Sequence, residues 1–182
     1  MTIRKKIINF VFKIATGSHK TRNLITPVGV IFFFTFITLS VVAAFKVDSL
    51  LLLPKISYHP WDTILAVLLI MPGLSLMLWS IYRFFKVRGT PVPLNPPPKL
   101  VTDGPYAYTR NPMLSGLFIF LFGIGVWFNS VSLLFIFVPL LISLAVTEIK
   151  TIEEPELIKR FGKKYRDYRR RTPMLFPRFR KK

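Results

Sequence analysis

Two short stretches carry residue types able to do chemistry. Residues 104–116 read Gly-Pro-Tyr-Ala-Tyr-Thr-Arg-Asn-Pro-Met-Leu-Ser-Gly, where a proline-rich polar loop runs into an apolar run. Gly104-Pro105 is a turn signal, and Pro112 suits the first turn of a helix because its missing N–H would have no partner there. Arg110 and Asn111 therefore stand at the head of a helix. With Tyr106, Tyr108 and the free backbone N–H groups of that terminus, they suit a ligand carrying an anionic group. The same residues also suit a simple anchor at the lipid headgroups. The second stretch, 148–156, holds Glu148, Glu153, Glu154 and Glu156, four of only eight acidic residues in the chain. These carboxylates could accept hydrogen bonds from a cationic or hydroxylated ligand. They could equally pair with neighbouring Lys and Arg, or start a helix through the capping pattern Thr151-x-x-Glu154.

The elements that must position these groups are membrane helices. Hydrophobic residues make up 52% of the chain and fall in long uncharged runs. The expected fold is all-α: an integral membrane helical bundle of four transmembrane helices with an N-terminal interfacial helix and a C-terminal amphipathic helix. The spans are expected near 24–45, 61–85, 112–128 and 131–146, by the rule that about 20 apolar residues cross a bilayer core. Residues 1–22 set Arg4, Lys5, Lys6, Lys13, Lys20 and Arg22 around an apolar helical face, the pattern of a helix lying on a membrane. Residues 23–103 supply the first two spans and a proline-rich loop, which reads as a stiff wall or as a spacer. Residues 104–182 form the functional half, a helical hairpin followed by one amphipathic helix through Leu157, Phe161, Tyr165 and Tyr168. The whole is a single membrane domain. Pro72-Gly73 should kink the second span, and Gly116 and Gly123, seven residues apart, should let the third approach a neighbour closely.

The net charge of +18 favours anionic lipid headgroups as partners over nucleic acid, since the basic residues flank apolar runs and no nucleic-acid module is present. Without cysteine, and with only His19 and His59 in separate loops, no metal site is expected. Basic residues crowd the N-terminal arm, the second connection and the C-terminal segment, whereas the other two connections hold only Lys46 and Lys55. The positive-inside rule then puts both termini in the cytoplasm, in a plasma or bacterial inner membrane. It also brings 104–116 and 148–156 to one side, at the two mouths of one hairpin.

These motifs resemble a known group, the membrane methyltransferases that include isoprenylcysteine carboxyl methyltransferases and phospholipid methyltransferases. Gly-Pro-Tyr followed by Arg-Asn-Pro-Met-Leu-Ser-Gly (110–116) is similar to the family's Arg-His-Pro-x-Tyr-x-Gly. The run Glu153-Glu154-x-x-Leu157-x-x-x-Phe161-Gly162-x-x-Tyr165-x-x-Tyr168 is similar to its C-terminal signature. Asn111 and Leu114 stand where the isoprenylcysteine branch usually has histidine and tyrosine, while Asn-Pro-Met and Glu-Glu-Pro resemble the phospholipid branch. The resemblance implies S-adenosyl-L-methionine as cofactor and a lipid or lipidated acceptor, with a carboxylate or an amine receiving the methyl group. It implies cofactor binding by Tyr106, Tyr108, Arg110, Asn111, Pro112, Gly116, Glu153 and Glu154, with Arg110 and Glu154 central to catalysis. Two other readings stay open: a membrane reductase with a related C-terminal half, and a non-catalytic lipid-binding protein. The sequence leaves the oligomeric state undetermined.

Overall fold

The computed structural model describes residues 3–56, 58–87 and 99–177. Seven α-helices are assigned among them: α1 (Ile3–Ala15), α2 (His19–Leu50), α3 (Trp61–Lys86), α4 (Pro112–Trp127), α5 (Val138–Glu148), α6 (Glu154–Phe161) and α7 (Lys163–Arg171). No strand occurs among the described residues. The proline-rich wall or spacer falls largely on 88–98, outside the described residues, as do 178–182 of the basic tail.

Among the described residues three helices are long and apolar enough to cross a membrane: Leu24–Leu50, Trp61–Lys86 and the continuous Leu133–Phe161. They mark an integral membrane protein. α4 is apolar throughout but has 16 residues, or about 24 Å at 1.5 Å per residue, against a hydrocarbon core of about 30 Å.

The tightest packing joins α3 to α4, and it depends on glycine. A Cβ on Gly116 would lie 2.6 Å from the carbonyl oxygen of Gly73, and one on Gly73 would lie 2.6 Å from the backbone nitrogen of Phe120. Gly123, two turns along α4, meets Ile70 in the same way. The face shared by Gly116 and Gly123 is thus spent on α3, where removing side chains lets backbones touch. Behind it, Leu117, Phe118 and Leu121 of α4 meet Leu133, Val138 and Leu141 to form the buried core, with Ala44 of α2 and Leu175 joining from either side.

The fourth expected span does not stop at Val146. It runs on as one helical rod to Phe161, interrupted by two π-type turns, Leu133–Phe137 and Ile149–Glu153. Both turns end two residues before a proline, Pro139 and Pro155. A proline ring collides with the carbonyl four residues back and cannot donate to it. Widening the preceding turn, so that Val138 N–H reaches Leu133 O and Glu154 N–H reaches Ile149 O, accommodates the ring without ending the helix. The carbonyl that Pro155 cannot bond, that of Thr151, accepts Arg4 Nε at 3.0 Å from α1.

The amphipathic C-terminal helix is in fact two helices. Gly162, at φ +59° and ψ −125°, breaks it into α6 and α7, and α7 turns back under the start of α4. At the far end of α4 the uncharged turn at 128–130 is held by acidic groups from elsewhere. Asp48 of α2 accepts from Ser130 Oγ and from Ser132 N at 2.8 Å, while Asn129 Oδ1 accepts Ile56 N at 3.1 Å.

Two glycine substitutions should behave differently in thermal denaturation of the detergent-solubilised protein. Gly116→Val forces α3 and α4 apart and should cost about 3 kcal/mol or more, the upper range for overpacking. Gly162→Ala meets no atom within 4 Å, so only backbone strain of about 1–3 kcal/mol should appear.

Candidate functional site

The site forms where the chain enters α4. Asp103 begins a short 3-10 turn, Gly104–Ala107, whose first residue sits at φ +58° with the Arg83 side chain against it. Arg83, at the end of α3, pairs with Asp103. Phe84 meets the Tyr106 ring edge-on at 5.1 Å, and Tyr106 is 5% exposed. The turn is therefore fixed to α3 before the chain reaches Arg110.

Arg110 and Glu154 come into direct contact across 44 residues of sequence, Nη1 to Oε1, with both side chains less than a tenth exposed. Arg110 Nη1 also donates to Tyr165 Oη at 3.2 Å, and Arg169 Nη1 holds the other Glu154 oxygen at 3.0 Å. Glu154 thus bridges two arginines, one from the head of α4 and one from α7. Arg110 Nε is buried and makes no hydrogen bond. Glu156, two residues on, pairs with Arg160 at 3.3 Å. Glu153 is half-buried and has no hydrogen-bond or ion-pair partner among the described residues.

Burial keeps the neighbouring phenols neutral. It pushes Tyr165 up to about 12, with Arg110 opposing the shift, and raises Tyr168 and Tyr106 further. Tyr168 accordingly serves as a donor, its hydroxyl 2.6 Å from the Tyr106 carbonyl oxygen, tying α7 to the 3-10 turn.

A strap formed by the residues after α7 closes the arrangement. The carbonyl of Pro173 accepts Arg110 N at 2.9 Å, and that of Met174 accepts Asn111 N, Asn111 Nδ2 and Thr109 Oγ1 at 3.1, 3.2 and 3.0 Å. The carbonyl of Leu175 accepts Ser115 Oγ at 2.6 Å. The N–H groups of Arg110 and Asn111, expected to be free for an anion, are therefore occupied by the chain's own carbonyls. A buried backbone donor takes whichever acceptor lies within reach.

Of the residues singled out by sequence, Arg110 and Glu154 meet, and Glu153 lies beside them. Tyr106 is packed under the turn, whereas Tyr108 is 63% exposed. Asn111 stands at the N-cap position of α4 without a side-chain bond to the helix and holds the strap instead, Pro112 is the first residue of α4, and Gly116 faces α3. Thr151-x-x-Glu154 does not cap a helix, because Glu154 lies within a continuous rod and Thr151 Oγ1 donates to Thr147 O at 2.6 Å. Sequence reading missed Arg169 and the bond from Tyr165 to Arg110. The spacing Tyr165-x-x-x-Arg169, one helical turn, was the available signal. No cluster of three or more potential metal ligands occurs among the described residues.

The order of these parts is that of a known class of membrane enzymes. The sequence profile of the phospholipid methyltransferase (PEMT) family matches residues 61–164, more than half of the chain, from the first residue of α3 into α7. The chain belongs to this family, whose members are methyltransferases. No curated protein matches the chain.

The two halves of the ion pair should not be equivalent. Glu154→Ala strands Arg110 in a buried position, a loss of about 3–5 kcal/mol. Arg110→Ala leaves Glu154 neutralised by Arg169 and should cost markedly less. Thermal midpoints of the two variants in the same detergent, with the glutamate variant lower, would check this.

Proposed function

We propose that the protein is an S-adenosyl-L-methionine-dependent methyltransferase acting on a lipid or lipidated acceptor at the cytoplasmic face of its membrane. The observation that carries this reading is the buried Arg110–Glu154 contact inside the stretch matched by the family profile. An amino-acid zwitterion can insert into such a pair without changing its net charge, its carboxylate going to the arginine and its ammonium to the glutamate. Arg110 Nε, buried with no partner, is a donor ready for that carboxylate. The residues present therefore fit the methionine end of the cofactor.

When bound, the cofactor supplies a methyl carbon already activated by its sulfonium, so positioning and exclusion of water provide most of the acceleration. Arg110 orients through its remaining donors. Glu154, held between two guanidinium groups, accepts hydrogen bonds. Tyr165 and Tyr168, neutral and buried, shut water out from below. Tyr108, exposed beside Arg110, is available to lie against the adenine. Asn111, Pro112 and Gly116 act one step back, shaping the start of α4 and its distance from α3. A carboxylate acceptor needs no base. An amine acceptor must lose a proton, and Glu153 Oε, with no partner of its own, is placed to take it.

The proposed topology has four spans, with α4 as the short third crossing, so the N-terminal arm and α7 share the cytoplasmic side with the ion pair. The absence of cysteine makes this directly testable. In intact cells a membrane-impermeant maleimide should label Tyr58→Cys but neither Lys5→Cys nor Lys164→Cys. Labelling of one terminus only would mean an odd number of crossings.

The activity is tested by transfer of radiolabelled methyl from S-adenosylmethionine into a total lipid extract. Wild-type protein should label a lipid and bind S-adenosylhomocysteine, but not NADPH, by calorimetry. Arg110→Ala and Glu154→Gln should each lower homocysteine-analogue affinity by at least about 100-fold, the scale of a lost buried charge contact. Unchanged affinity in both, or NADPH binding in place of the analogue, would refute the assignment.

A further inference from the structure

We propose that the groove where α1 meets α2 is a binding site for one anionic phospholipid, separate from the Arg110–Glu154 site and independent of the reaction. The groove measures about 430 Å³ and is lined by Phe10, Lys13, Ile14, Gly17, Ser18 and Ile25, within the size range of small-molecule pockets. Its wall is apolar but for Ser18 and Lys13, and Lys13 is exposed with no ion-pair partner among the described residues.

Three features point to the occupant. First, α1 has two apolar faces. One packs against α6, where Lys159 lies 4.0 Å above the Phe12 ring and donates to Asn9 Oδ1 at 2.8 Å. The other, Ile3, Ile7 and Phe10 at helical spacing with the half-buried Ile14 at its end, is largely uncovered among the described residues: Ile3 is 76% and Phe10 63% exposed. This uncovered stripe leads directly into the groove. Second, Lys6 and Lys13 lie two turns apart along one edge of the stripe, so an acyl chain on the apolar face brings its phosphate to lysine. Third, residues 1–47 contain no Asp or Glu at all, while Arg4, Lys5, Lys6, Lys13, Lys20, Arg22 and Lys46 are basic. On α6, Glu154 is engaged by two arginines and Glu156 by Arg160. The corner is held open by Arg22, whose guanidinium is buried and donates to Ala15 O at 3.4 Å. A headgroup with net negative charge completes the electrostatics that the chain leaves unbalanced.

The test is native mass spectrometry of the full chain released from micelles containing equal amounts of phosphatidylglycerol and phosphatidylcholine. Wild-type protein should retain one phosphatidylglycerol with at least tenfold preference. Lys13→Glu should abolish the preference, Ile25→Trp should fill the groove and lose the retained lipid, and Lys46→Glu, an equal charge change at the other end of α2, should leave it intact. Equal loss in the Lys13 and Lys46 variants, or no preference in the wild type, would overturn the proposal. A second measurement needs no variant. Backbone hydrogen exchange across residues 10–25 of the wild type should slow in phosphatidylglycerol discs relative to phosphatidylcholine discs, while residues 61–72 remain unchanged. Equal exchange in the two discs counts against the site.

Discussion

A charge removed from water must find an opposite charge, and that requirement organises the C-terminal half of this chain. Arg110 and Glu154 are nearly inaccessible, so Arg110 cannot be held in place without Glu154 except at a cost of several kcal/mol. Their contact fixes the head of α4 against the helical rod that carries Glu154. That in turn fixes where α7 must lie, since Arg169 and Tyr165 complete the same cluster. The glycine seam between α3 and α4 and the Arg83–Asp103 pair bring the 3-10 turn to the same point from the other side.

The membrane character, the start of α4 and the family were legible in the sequence because each has a local signature. Long apolar runs announce spans, Pro112 announces a helix start, and a cluster of half the chain's acids in nine residues announces an unusual environment. The tight role of Gly116 and Gly123 was readable from their seven-residue spacing for the same reason. Helix ends were less legible. The rod from Leu133 to Phe161 was expected to stop where charge begins, yet π-type turns carry it past both prolines, and side-chain composition does not encode that backbone option. Gly162 offered a break signal that the amphipathic pattern on either side obscured.

Least legible were the long-range backbone contacts. Nothing in Pro173-Met174-Leu175 says that its carbonyls will satisfy Arg110, Asn111, Thr109 and Ser115. Carbonyls are common to every residue, so which donors they meet is decided by the path of the chain. Asn111 illustrates the limit. Its residue type and place at the head of a helix suggested a ligand contact, whereas its amide and its backbone N–H both go to the carbonyl of Met174.

The strap has a consequence for biogenesis. The ribosome delivers α3 and α4 to the bilayer well before residues 173–175 leave the exit tunnel, so the head of α4 enters the membrane with its donors unmet. Synthesis proceeds at about 5–20 residues per second, which leaves a nascent intermediate whose cluster is incomplete until residues 173–175 arrive. The cluster is thereby assembled in a fixed temporal order, and a chain terminated before Pro173 would insert its helices yet leave the head of α4 without the carbonyls that satisfy it.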